Sequence, residues 1–472
     1  MEHRTLLLLA AGLVAAAGIT VAALNLRGGR DLPLVDVPVA SLPAASAPAG
    51  ALNVVLVVAC TVRQDQVAGY GGHPEVTPWL ATFGDQGAIF EDPISPSPWT
   101  RPAVAGIVTG TTPRLLHMEE PTEQPNRSAL PASAVTLADR FREGGWRTIG
   151  VSANPNVSAV FGFAQGFGRW IEVGPGPVTA RASGAAVVAR ALEAVEPAGG
   201  APLYLQLLLA DAHGPHPVEP GQTRLFARLD EVTGDVQRYR VHLNQLDRAL
   251  YALDRGLAER GYDATNTLLV VVNDHGEGLH APVGHGRGHG RQLYPTTVGG
   301  VWMLRGPGIP ADRRISGLSS LVDVAPTIAG LAGRPALDGA DGRDWSALVR
   351  GQGDRTDRVE AWTETTWGRT NRAAVYTDDR ICMRDFGPIQ EEERGTGAAH
   401  FVQGCCERAD AACRDVRADG PMEARIAEHR SELDARVRAV REPAVQLDPE
   451  MEALVHAFGY AESAGVRAGK AE

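Results

Sequence analysis

Residues 53–59 read NVVLVVA, a run with no polar position after its first residue. A strand with one wet face alternates apolar and polar side chains. A run apolar at every position therefore suits a parallel strand buried on both faces. Residues 146–151, 203–209, 268–272 and 298–304 behave alike, the first of them less purely apolar. Helical stretches separate these runs, among them residues 134–144 and the amphipathic residues 185–195. Strands alternating with helices predict an α/β fold, a three-layer α/β/α sandwich around a mostly parallel central sheet.

Open sheets of this kind bind ligands beyond the carboxyl ends of their strands. The first run is followed by Cys60-Thr61-Val62-Arg63, the third by Asp211-Ala212-His213 and the fourth by Asn273-Asp274-His275-Gly276-Glu277. Seven of the thirteen histidines fall between His213 and His289. A single His or Asp at a strand end caps a turn as readily as it binds a ligand. Three strand ends in one sheet, each carrying metal-capable groups, point to a site centred on Asp274 and His275.

Residues 95–102, SPSPWTRP, form a stiff stretch that leads into a helix, with Pro102 suited to its first turn. Thr100 then sits at the helix N-terminus, where free N–H groups and the helix dipole favour a phosphate or sulfate. Its hydroxyl is a candidate nucleophile if a metal lowers its pKa. On local sequence alone, Thr100 reads better as a plain N-cap than as a nucleophile.

The formal net charge of -11 excludes a nucleic-acid surface, which needs clustered Lys and Arg. Lysine occurs once, at Lys470, so the folded part has no catalytic lysine. Residues 5–26 carry no charge, a span of about 22 residues that suits either an uncleaved membrane anchor or a cleaved signal. Either way the expected location is the periplasm or cell surface. Residues 31–51, rich in Pro, Ala, Ser and Val, read as a linker. Of the five cysteines, Cys382, Cys405, Cys406 and Cys413 lie late in the chain, where one or two disulfides are expected.

Taken in order, these pieces resemble the sulfatase family of the alkaline phosphatase superfamily. The resemblance runs from about residue 53 to residue 351. It rests on Thr61-Val62-Arg63-Gln64-Asp65 with Gly69-Tyr70-Gly71, and on Ser97-Pro98-Trp99-Thr100-Arg101-Pro102 through Val108-Thr109-Gly110. Phe161-Gly162-Phe163, Asp211-Ala212-His213-Gly214-Pro215, Asp274-His275-Gly276-Glu277, Gly288-His289-Gly290 and Leu321-Val322-Asp323 continue it. The resemblance implies one divalent cation, calcium or zinc with magnesium or manganese as further possibilities, held in part by Asp274 and His275. It implies that His213 and His289 meet the oxygens of a sulfate or phosphate ester, with Arg63 or Arg101 assisting, and that Thr100 takes the nucleophile position. It also implies a small antiparallel sheet in a C-terminal subdomain. The domains are then residues 1–30, the linker at 31–51, a catalytic domain at 52–352 and the subdomain with its tail at 353–472.

Three positions depart from the family pattern. Threonine stands where sulfatases mature a Cys or Ser to formylglycine, as it does in phosphoryl-transferring relatives. Cys60 stands where the first strand end carries a metal-binding Asp, and a thiolate suits zinc better than calcium or magnesium. Asp65 is either a substitute ligand or a brace for the loop. Ser152-Ala153-Asn154 replaces a Lys-Trp-His segment. The expected function is an extracytoplasmic, metal-dependent hydrolase of small-molecule, glycan or lipid sulfate or phosphate esters. A catalytically weakened binding protein and a membrane-associated phosphotransferase are the alternatives. Residues 424–440 form a charged amphipathic helix, read as a solvated face. The sequence leaves the oligomeric state open.

Overall fold

The apolar runs at 53–59, 146–151, 203–209 and 268–272 become strands in the computed structural model, which describes residues 34–38, 47–48, 50–119, 127–174, 182–219, 221–226, 228–229, 232, 234–279, 287–367, 370–387, 403–410, 412–437 and 444–455. The apolar segment at residues 5–26 lies outside the described residues. Among the described residues no helix is long and apolar enough to cross a membrane.

The first eleven strands are β1 (Leu34–Pro38), β2 (Asn53–Ala59), β3 (Ala88–Ile94), β4 (Arg147–Ser152), β5 (Arg169–Val173), β6 (Leu203–Leu209), β7 (Thr267–Asn273), β8 (Gly278–Leu279), β9 (Arg287–Gly288), β10 (Trp302–Arg305) and β11 (Arg313–Ser320). Nine of them form one sheet in the order β1-β5-β4-β6-β2-β7-β10-β3-β11, while β8 and β9 pair as a short hairpin. The five pairings β5-β4, β4-β6, β6-β2, β2-β7 and β3-β11 are parallel. All seven residues of β2 are buried, as are those of β6 and β7. That is why these strands tolerate no polar alternation. Each buried Val or Leu side chain adds roughly 1.5–3 kcal/mol of burial free energy. The helix Gly184–Ala194 turns Val187, Val188 and Ala191 inward, as its amphipathic pattern predicts.

Three expectations need correction. The run at 298–304 does not form a parallel strand. Pro295–Val298 is a helical turn, and β10 starts only at Trp302 and runs antiparallel to β7 and β3. The described residues between β7 and β10 form site loops and a one-turn helix and no covering crossover helix, in keeping with a return in the opposite direction. The linker is not wholly without structure, since β1 pairs antiparallel along β5 from Leu34↔Val173 to Pro38↔Arg169. The charged helix, observed at Gly420–Arg436, is not simply solvated. Ile426, Arg430 and Leu433, at helical spacing, are buried.

A second sheet, in the order β12-β13-β14-β15, comprises β12 (Ala361–Thr365), β13 (Arg372–Tyr376), β14 (Arg380–Asp385) and β15 (Gly404–Glu407), all antiparallel. Cys382 and Cys405 face each other across β14 and β15 and are bonded, and a second disulfide joins Cys406 to Cys413. Glu364 on β12 holds this sheet to its neighbours. Its carboxylate accepts from Arg114 Nε at 2.9 Å and from Arg430 Nη2 at 3.1 Å. Arg114 belongs to the main domain and Arg430 to the C-terminal helix, and Arg114 also reaches Asp434 at 3.0 Å.

Candidate active site

The three strands that carry the chemistry end side by side. Ala59, the last residue of β2, is in register with Leu209 at the end of β6 and with Asn273 at the end of β7. The residues beyond these three ends are therefore delivered to one point. Cys60 remains on the ladder, its N–H donating to Leu209 O at 2.8 Å. Thr61 then turns the chain with φ 57, a left-handed conformation that a β-branched residue adopts only under constraint. The constraint is visible. Thr61 N–H donates to Asp274 Oδ1 at 2.9 Å, its hydroxyl to Cys60 O at 2.8 Å, and the Tyr239 hydroxyl donates to Thr61 O at 2.9 Å.

Cys60, Asp274 and His275 come together, with one ligand atom of each within 4.8 Å of the others, and all three are buried. Thr100 joins them as the first residue of the helix Thr100–Thr109, whose N-cap is Trp99. Its Oγ1 lies 3.2 Å from His275 Nε2 and 3.4 Å from Cys60 Sγ. Thr100 is thus not the N-cap, and its hydroxyl faces the cluster.

The contacts of His275 fix its tautomer. Nδ1 lies 2.9 Å from the Gly276 carbonyl, which can only accept. Burial is the main reason that the His275 pKa falls to about 4, so the ring is neutral and Nε2 carries a lone pair. Asp274 Oδ1 accepts from Thr61 N–H and from His275 N–H at 2.7 Å. Its buried Oδ2 has no hydrogen-bond partner among the described residues. Burial first, then the charge of Asp274, pushes the Cys60 thiol well up.

A buried carboxylate oxygen without a donor, beside a thiol and a neutral imidazole, fits a cation. The S, N and O donors suit a four-coordinate zinc-type ion with one open position. Cys60, Asp274 and His275 would hold it.

His289 and His213 stand beside this cluster. The His289 ring is 4.6 Å from that of His275 and 5.0 Å from that of His213, centroid to centroid. Burial alone would lower the His289 pKa, but Glu277, 3.4 Å from its Nδ1, outweighs burial and raises it. Burial likewise opposes ionisation of Glu277, yet His289 draws its pKa down to about 2. His213 Nδ1 lies 2.7 Å from Gly214 O. A cleft of about 480 Å³, lined by Gly214, His216, Glu277, Arg238 and Arg287 among others, opens next to Glu277.

The two arginines are placed differently. Arg63 is buried and binds Asp65 through Nε at 2.9 Å and Nη2 at 2.5 Å. Asp65 is engaged by Arg63 and does not belong to the Cys60 cluster. Arg101 donates to Asn156 Oδ1 at 2.6 Å and Ser128 O at 3.2 Å, with its guanidinium 3.5 Å from the Phe161 ring centre.

Sequence reasoning misses two residues of the site. Asn154 Nδ2 lies 3.5 Å from Cys60 Sγ. Asn154 comes just after β4, which is in parallel register with β6, so its signal is one more strand end in the same sheet. Glu277 stands in the sequence only as the last letter of a motif. Its spacing from His289 across the β8-β9 hairpin is what pairs the two.

Known proteins extend this picture. A 33% identical stretch of 70 residues matches arylsulfatase K of Canis lupus familiaris, covering 15% of this chain and 12% of that protein. Another of 128 residues, 35% identical, matches the low-salt glycan biosynthesis sulfotransferase Agl7 of Haloferax volcanii, over 26% of this chain and 31% of that one. The chain thus spans less than a third of the length of either curated relative. The phosphonate monoester hydrolase of Agrobacterium radiobacter superposes with a TM-score of 0.62 at 17% identity, over 82% of this chain and 96% of that structure, and so shares the fold. The family model described as Sulfatase matches residues 52–334, from the start of β2 past the end of β11. That span holds more than half of the chain and every residue of the cluster, and the chain belongs to the sulfatase family.

Proposed function

We propose that this protein is an extracytoplasmic, metal-dependent hydrolase of sulfate or phosphate esters, with Thr100 as nucleophile. The observation that carries the reading is the Thr100 hydroxyl, 3.2 Å from His275 Nε2 at the N-terminus of a helix. Free N–H groups there favour the anionic ester. Thr100 Oγ would attack the phosphorus or sulfur, the leaving alcohol would depart with a proton, and water would then cleave the threonyl ester. His289, whose pKa Glu277 raises, would stabilise charge building on the ester oxygens. The ion, when bound, supplies Lewis acidity and lowers the pKa of the attacking hydroxyl.

The threonine favours phosphate esters, and the family favours sulfate esters. An acceptor alcohol in place of water would make the same chemistry a transfer. The relative named as a glycan sulfotransferase gives that second reading its support. The two disulfides favour an oxidising compartment.

Purified protein is expected to carry about one equivalent of a zinc-type ion per chain and little calcium. Cys60→Ala is expected to lower bound zinc by about 10–100-fold in affinity, read by elemental analysis after dialysis. Less than about a tenth of an equivalent of any divalent metal, with no hydrolysis of 4-nitrophenyl phosphate or sulfate, would sink the enzyme reading in favour of a binding protein. Full zinc occupancy in Cys60→Ala would show that the thiol is not a ligand.

A further inference from the structure

Beneath the nucleophile segment lies a second buried carboxylate, which the proposed reaction does not use. Glu119 is fully buried. Oε1 accepts from the Ser97 hydroxyl at 2.5 Å and from Trp99 Nε1–H at 2.8 Å. Oε2 accepts from Thr366 N–H at 2.7 Å and from the Thr366 hydroxyl at 2.9 Å. Ser97 and Trp99 immediately precede Thr100. Thr366 comes directly after β12 of the small sheet.

Further contacts run beside this one. Glu364 N–H donates to Pro96 O at 3.1 Å, and Gly290 N–H to Pro98 O at 2.9 Å. The Thr365 hydroxyl donates to Gly290 O at 2.5 Å. The Trp367 ring lies 5.1 Å from that of Trp99. It also covers Gly290 so closely that a Cβ there would come within 2.9 Å of Trp367 Cγ. The segments at 96–100, 289–290 and 364–367 are therefore one bonded unit, and Glu119, its pKa pushed up to about 7 by burial, is the acid at its centre.

We propose that Glu119 is the positioning residue for Thr100, fixing residues 97–99 against Thr366 so that the hydroxyl is held at the His275–Cys60 cluster. This rests on the reading of Thr100 as nucleophile. The small sheet then becomes part of the catalytic apparatus, because one side of the Glu119 clamp comes from it.

The chemistry of the clamp supplies its own test. Each carboxylate oxygen faces an N–H that cannot turn round, from the Trp99 indole on one side and the Thr366 backbone on the other. Glu119→Gln preserves shape but offers only one acceptor oxygen. Whichever way the amide turns, its NH₂ meets an N–H. In Glu119→Gln/Trp99→Phe the indole N–H is gone. The amide NH₂ can then face the Ser97 hydroxyl, which is able to accept, while its oxygen keeps Thr366.

Hydrolysis of 4-nitrophenyl phosphate and 4-nitrophenyl sulfate by the full chain reads the outcome, with Trp99→Phe as the reference corner. Glu119→Gln is expected to lower kcat by about 10–100-fold with KM within about twofold. Adding Trp99→Phe should recover about tenfold of that loss. Bound metal should stay at the wild-type level in both. An active wild type whose kcat is unmoved by Glu119→Gln overturns the positioning role, as does a double variant no better than the single. Fully inactive wild-type protein instead overturns the Thr100 reading itself, and this proposal with it.

Discussion

Thr100→Ala is expected to lower turnover of 4-nitrophenyl phosphate or sulfate by at least about a thousand-fold. The variant should keep its fold and its bound metal. Trp99 and not Thr100 occupies the N-cap, so no helix cap is lost. What is lost is the oxygen 3.2 Å from His275 Nε2. Thr100→Ser keeps that oxygen and should stay within about tenfold of wild type, because losing the β-methyl that restricts χ1 costs orientation and not chemistry. Steady-state kinetics with mass spectrometry of quenched protein checks both, the latter for a phosphate or sulfate adduct on the peptide containing Thr100. More than about a tenth of wild-type activity in Thr100→Ala would remove threonine from the mechanism.

Glu364→Ala is expected to destabilise the protein by roughly 3–5 kcal/mol, because it strips the shared carboxylate from two buried guanidinium groups. The Arg114 side chain is 3% exposed and that of Arg430 is 9% exposed. Neither can recover its hydration without opening the joint between the two sheets. Asp434, also bound to Arg114, has a side chain that is 54% exposed. Asp434→Ala should therefore cost no more than about 1 kcal/mol. Denaturant titration of the two variants beside wild type decides the matter. Equal midpoints for Glu364→Ala and Asp434→Ala would show that the buried pair is not what secures the subdomain.

Much of this architecture is legible in the runs themselves. Residues buried on both faces cannot alternate, so β2, β6 and β7 announce themselves by composition. The residues just beyond their ends bring Cys60, Asp274, His275 and His213 to one sheet edge without any coordinates. β3 escapes such a reading because Glu91, Asp92 and Pro93 interrupt its pattern. The direction of β10 escapes it because direction depends on what the connection covers, and no local pattern states that. The C-terminal helix misleads for a related reason. Arg430 counts as polar in any periodicity, yet it is buried on a carboxylate supplied by a distant strand. Glu119 is the clearest case of all. Nothing in Leu116-His117-Met118-Glu119 marks its acid as different from the many acids on the surface. Its meaning comes from Ser97, Trp99 and Thr366, which only the folded chain assembles.

The clamp between Glu119 and Thr366 joins residues 247 apart in the chain. Contacts of such separation close late in folding, because a long loop must be ordered before they repay its entropy. The sheet edge with Cys60, Asp274 and His275 belongs to the first three hundred residues and can form before β12 has left the ribosome. The threonine beside it gains its last support only when residues 364–367 arrive. During synthesis the chain would thus carry an unfinished site over the 91 residues from His275 to Thr366, about a fifth of its length, reactive groups in place and alignment withheld. A site built this way would stay idle until its own C-terminal sheet had docked.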